Sequence, residues 1–232
     1  MFSNSGVLGV KILPATFKSV ITASSNTSQA VHTFSITTTL STEDNRAILV
    51  FMAAGKDGGL PSLTDVVFNT EAPSALVSGG GASNGTMQTT RRSNYWADSL
   101  IPSTAGTYDL KYTWSSAVDW CAVSVYEVYD VDQSASFSSL AQGFGDSYTI
   151  TTESAGQVVF GLSVGASDTG ASALSVTAAP TGHITDIDFT DSVGAGSLLT
   201  GHTTTPEDSD IYTIAKSGDT TNDNSFIMAN GV

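Results

Sequence analysis

The octapeptide AILVFMAA (47–54) is apolar at every position. Short, and apolar on both faces, it reads as a strand. Successive side chains of a strand point to opposite faces, so this one must be covered on both sides, as a central strand is. A second run of the same kind, QVVFGLSVGA, occupies 157–166. Segments near these runs alternate. Phe34, Ile36 and Leu40 share one face and Thr33, Ser35, Thr37 and Thr39 the other. In TYDLKYTW (107–114), Tyr108, Leu110, Tyr112 and Trp114 point inward and Asp109 and Lys111 outward. Turn segments such as STEDNR, KDGGLPS and DTTNDN separate the runs. No stretch of ten residues carries helical periodicity with caps, and strands spaced about 8–12 residues apart indicate an all-β sandwich or barrel. SGGGASNG (78–85) reads as a flexible loop and TMQTTRRSNYWADSLI (86–101) as a strand pair.

The chain repeats its own order. HTFSITTTLSTEDNRAILVFMAAG is echoed by SYTITTESAGQVVFGLSVG, with Ile36 matching Ile150 and Ile48 matching Val158. The segment between the copies, VDQSASFSSLAQGFGDS, still holds Phe137, Leu140 and Phe144 and is no free linker. The expectation is one antiparallel two-sheet sandwich over 29–232, jelly-roll-like, built from two similar interleaved halves. The alternative is two small β domains split near 135–146. Residues 1–28 read as an N-terminal arm or edge strand, with Val7, Leu8, Val10, Ile12 and Leu13 docking on a partner subunit.

Of the 232 residues 40% are hydrophobic, enough for a packed core, and only 13% are charged. The net charge of −14 is uneven: residues 1–115 sum to zero, whereas 116–232 hold one basic residue, Lys216, against fifteen acidic ones. Such a half repels a phosphate backbone, which argues against nucleic-acid binding. The one cysteine, Cys121, excludes an intrachain disulfide and reads as a core residue. No apolar run approaches the ~18 residues of a membrane helix, and residues 1–18 lack the pattern of a secretory signal. Synthesis in a cytoplasm without membrane insertion is therefore expected.

The succession RAILVF, LTDVVFNTEAPSALV, YW, GTYDLKYTW and WCAVSVYEV resembles β-sandwich domains of tailed-phage and gene-transfer-agent virion proteins, of the head decoration, fibre or spike type. That resemblance, over 30–232, implies a non-enzymatic structural role on the surface of a phage-like particle, contact with a capsid subunit, and homo-oligomers. The alternative role is a carbohydrate-binding module recognising a cell-surface glycan.

Candidate chemistry is sparse. Glu127, Asp130 and Asp132 in YEVYDVD are the best glycosidase carboxylates, but Glu127 and Asp130 fall on opposite faces of a strand, so no catalytic residue is assigned. His32, His183 and His202 lack metal spacing. Exposed aromatics beside polar groups suit sugars, and Arg91, Arg92, Asn94, Tyr95 and Trp96 form the candidate glycan patch. No cofactor is expected other than calcium, for which Asp219, Asn222 and Asp223, with Asn224, make an oxygen-rich turn. Glu207, Asp208 and Asp210, and Asp186 with Asp188, are lesser candidates.

Overall fold

A computed structural model describes residues 15–144, 147–151, 158–166, 174–178, 182–190, 196–203, 211–216 and 221–231. In chain order the strands are β1 (Thr16–Ser25), β2 (Gln29–Thr38), β3 (Ala47–Asp57), β4 (Leu63–Phe68), β5 (Ala75–Gly80), β6 (Ser83–Asn84), β7 (Met87–Ala97), β8 (Gly106–Val118) and β9 (Trp120–Tyr129). The second half supplies β10 (Phe137–Phe144), β11 (Ser147–Thr151), β12 (Val159–Ala166), β13 (Leu174–Ala178), β14 (His183–Thr190), β15 (Gly196–Thr203), β16 (Ile211–Lys216) and β17 (Thr221–Ala229). Asp98–Leu100 forms a single 3-10 turn.

The described strands make four antiparallel sheets. The first half builds a large sheet, β1-β9-β3-β7-β5, with β6 attached to β7, and a small one, β2-β8-β4. The second half builds β10-β17-β12-β15-β14 and β11-β16-β13. With the short β6 set aside, each half has eight strands. Counted 1 to 8 within each half, both large sheets run 1-8-3-6-5 and both small sheets run 2-7-4. Three of the irregularities recur, while the shift in β2/β8 has no counterpart in β11/β16. Register shifts interrupt β1/β9 and its counterpart β10/β17, β5/β7 and β14/β15, and β4/β8 and β13/β16.

The fold is therefore an all-β antiparallel sandwich, but its halves do not interleave: each sheet is drawn from one half. The change from one set of strands to the other falls in residues 130–136, just ahead of the split near 135–146 weighed from sequence. The physical reason lies in AILVFMAA. A two-sheet sandwich buries only one face of each sheet, whereas this strand needs cover on both. Ile48, Val50, Met52 and Ala54 pack with Phe34, Ile36, Leu110, Tyr112 and Trp114 against the small sheet of their own half. Ala47, Leu49, Phe51 and Ala53 pack against the large sheet of the other half, meeting Phe160, Leu162, Val164, Leu198 and Ile227. β9 divides likewise, with Cys121, Val123 and Val125 on one side and Trp120, Ala122, Tyr126 and Val128 on the other.

Aromatic rings knit the seam between the large sheets. Phe51 meets Tyr126 at 5.4 Å and Phe160 at 6.3 Å, and Trp120 meets Phe189 at 5.3 Å. Each pair adds about 0.5–1.5 kcal/mol beyond area burial. Gly55 and Gly196 press on the Trp120 indole from the two halves, and a Cβ on either would come within 3.0 Å of ring atoms.

Residues 16–25 form an edge strand, β1, paired only with β9 in its sheet. Val7, Leu8, Val10, Ile12 and Leu13 lie outside the described residues. Three local readings change. Residues 87–97 are one long strand rather than a pair, because β7 sits between β3 and β5. The glycine run 78–85 is largely strand, since β5 extends to Gly80 and β6 follows. The DTTNDN turn gives way at Thr221 to β17, which pairs with β12 from Ala166↔Thr221 onward.

Candidate functional site

The candidate glycan patch is divided by the faces of β7. Trp96 is fully buried in the first-half core, its Nε1–H donated to the Glu71 carbonyl at 2.9 Å and its ring edge-on to Phe68. Trp96 therefore cannot stack on a sugar. Arg91 and Asn94 are buried as well. Arg92 and Tyr95 are half-buried, and Tyr95 rests on Phe137 at 5.5 Å, at the seam. The five residues form no common surface.

Arg91 instead joins the halves. Its guanidinium donates to Asp223 Oδ1 at 2.7 Å and to Ser78 Oγ at 2.6 Å, with Arg91 and Asp223 side chains each 2% exposed. The pair needs Gly80, where any Cβ would strike the Asp223 carboxylate. Asp223, offered as a calcium ligand, is thus committed to an internal cation. Asn222 lies within β17 beside it. Asp219, Glu207, Asp208 and Asp210 lie outside the described residues. Among the described residues no three His, Cys, Asp or Glu side chains converge as a metal cage.

Glu127, Asp132 and Asp186 are also engaged. Glu127 is buried against the first-half small sheet, where Ser19, Thr38 and Thr39 hydroxyls and the Thr39 amide donate to it. Burial raises its carboxyl, but these donors outweigh that and hold it below the usual range. Asp132 caps its own turn through Ser134, and Asp130 stands in the left-handed region at φ 57°. At the seam Asp186 accepts the Tyr126 hydroxyl and pairs with His202 Nδ1, both at 2.8 Å. A neutral imidazole thereby carries its proton on Nδ1. Its Nε2 is buried with no hydrogen-bond partner among the described residues, and Phe17 stacks on the ring at 4.0 Å. The Asp–His geometry resembles the orienting half of a triad, yet the imidazole is closed off from any substrate. Cys121 is buried, and burial pushes its thiol well up, so it is no nucleophile.

An open surface site lies elsewhere. An open groove of about 590 Å³ runs along the outer face of the first-half small sheet, lined by Thr33, Val67, Asn69, Thr70, Thr107, Tyr108, Asp109 and Lys111. Cross-strand register builds it: Thr33, Lys111 and Val67 stand side by side on β2, β8 and β4. Ser35 donates to Asp109, and Thr37 bonds Thr107 at 2.9 Å. One wall is the turn after β4. Phe68 and Glu71 exchange two backbone hydrogen bonds at 2.9 Å around Asn69 and Thr70, whose φ angles are 46° and 75°. Two positive φ values in a two-residue hairpin indicate a type I′ turn, which favours Asn-Gly. Thr70 occupies the glycine position, a left-handed conformation costing a β-branched residue about 1–2 kcal/mol.

The alternation of TYDLKYTW already marked Asp109 and Lys111 as outward. Nothing local linked them to Asn69 and Thr70, which reach the groove only because β4 pairs with β8. Comparison with family models, with curated proteins and with solved structures finds no match for this chain.

Proposed function

We propose that this chain is a non-enzymatic structural component of a phage-like particle, a head decoration, fibre or spike subunit on the outer surface, made in the host cytoplasm. We read each half as a jelly-roll-like unit, because strand 1 pairs with 8, 2 with 7 and 3 with 6. The observation that carries the reading is the fusion of two such units through a seam where Phe51, Trp120, Phe160 and Leu198 are all buried. That makes a rigid double block with its turns and outer sheets free for neighbours. The acids and the thiol best suited to chemistry are spent inside the block, which fits a scaffold better than a catalyst. In this reading residues 7–13 dock on a capsid or sibling subunit, and any calcium belongs to the acids around Asp219 or to Glu207, Asp208 and Asp210.

Cryo-microscopy of particles from a strain lacking the gene tests the proposal. Loss of a surface density that returns on complementation is the expected result. Unchanged particles would refute it.

A further inference from the structure

We propose that the groove on the outer face of β2-β8-β4 binds a neutral glycan. This goes beyond a structural role and stands or falls without it. Binding sites are concave, with a few placed polar groups among apolar ones. Here hydroxyls of Thr33, Thr70 and Thr107, the Asn69 amide, the Asp109 carboxylate and the Lys111 ammonium surround Val67, while Tyr108, at the groove's margin, turns its ring inward onto Phe68. One cation beside one anion gives no net field, so the site selects for neither phosphate nor polycation. What it supplies is closely spaced donors and acceptors, which vicinal hydroxyls satisfy in both directions, and at Val67 a small apolar area for the C–H face of a sugar ring. The chain's own residues 7–13 are apolar apart from Lys11 and do not match. An extended peptide adding to a sheet needs an open edge, and this is a sheet face.

Thr70 supplies an independent argument. Glycine would relieve its backbone at once, yet a hydroxyl-bearing, β-branched residue is held at φ 75° on the groove wall. Strain kept at a surface concavity points to use of the side chain.

The test is a printed array of neutral and acidic oligosaccharides probed with the full chain and three variants. Wild type should bind neutral glycans. Asp109→Asn and Lys111→Ala should each weaken the signal at least tenfold, with melting temperatures close to wild type. Thr70→Gly should weaken binding several-fold while raising the melting temperature, a combination that a merely structural threonine would not give. Absence of binding to any printed glycan overturns the proposal. So does binding that survives all three substitutions, or binding confined to acidic glycans.

Discussion

The two halves share one strand plan, down to three of the register shifts, yet their chemistry has separated. All three tryptophans lie in the first half, and so do seven of the eight Lys and Arg residues. The second half, 136–232, holds eleven acidic residues and only Lys216 as a counter-charge. Across the seam the same division is used: the first half offers Arg91, Tyr126 and Trp120, and the second answers with Asp223, Asp186 and Gly196. A symmetric homodimer cannot do this, because one surface patch must serve on both sides. Once two copies share a chain, each face is free to specialise, and the seam becomes a lock with distinct sides.

The severest way to break that lock is Arg91→Met. It strands the buried Asp223 carboxylate and should cost about 3–5 kcal/mol in chemical denaturation. The double variant Arg91→Met with Asp223→Leu should recover most of the loss, since an apolar pair replaces a buried ionic one. A single-variant loss under about 1 kcal/mol would mean that the seam is solvated. Next comes steric overfilling. Gly196→Ala and Gly55→Ala each push a methyl into the Trp120 indole and should cost about 1–3 kcal/mol, with altered tryptophan fluorescence. Both act on one ring, so the double variant should cost less than the sum. Additive losses would show that the halves yield independently.

Tyr126→Phe removes one donor from Asp186 and should cost about 1.5–3 kcal/mol, as bonds to charged groups do. Its loss should shrink in Asp186→Asn if the two residues act as one cluster across the seam.

Acid titration is the gentlest probe. Burial holds the His32 and His183 imidazoles below their ordinary range; at His183 Asp186 opposes this and His202 adds to it. The unfolded chain therefore takes up protons there first, and stability should decline as pH drops below about 6.5. The depressed carboxyls act lower. Glu43, paired with Lys18, is lowered to about 2, and Glu127 is also lowered. Their contributions are whole above the unfolded value near ~4.3 and are lost as pH falls through the folded values. Glu127→Gln should flatten this lower limb and leave the step near 6.5 intact. A limb untouched by Glu127→Gln would leave it to Glu43, and because both sit in the first half, only a limb untouched by Glu43→Gln and Glu127→Gln together would place the acid sensitivity in the other half.

The inward sets Phe34/Ile36 and Tyr108/Leu110/Tyr112, the core position of Cys121 and the repeat itself were legible because each rests on a period of two or on local composition. The break-up of the candidate glycan patch was legible only at Trp96, a large aromatic that suits a core as well as a sugar; Arg91 looks like a surface group until β7 is placed between two neighbours with layers above and below. Asp223 likewise reads as a turn acid until Arg91, 132 residues earlier, is brought to 2.7 Å.

Sequence alone thus determined that this chain is all β, that its plan is used twice, and that AILVFMAA needs cover on both faces. Backbone alternation and residue type are local properties and carry that much. Only the tertiary structure decided that the cover comes from a separate small sheet on one side and the other copy on the other. Which sheets face each other depends on strand pairings across loops and on complementary side chains far apart in the chain, and no local pattern encodes either.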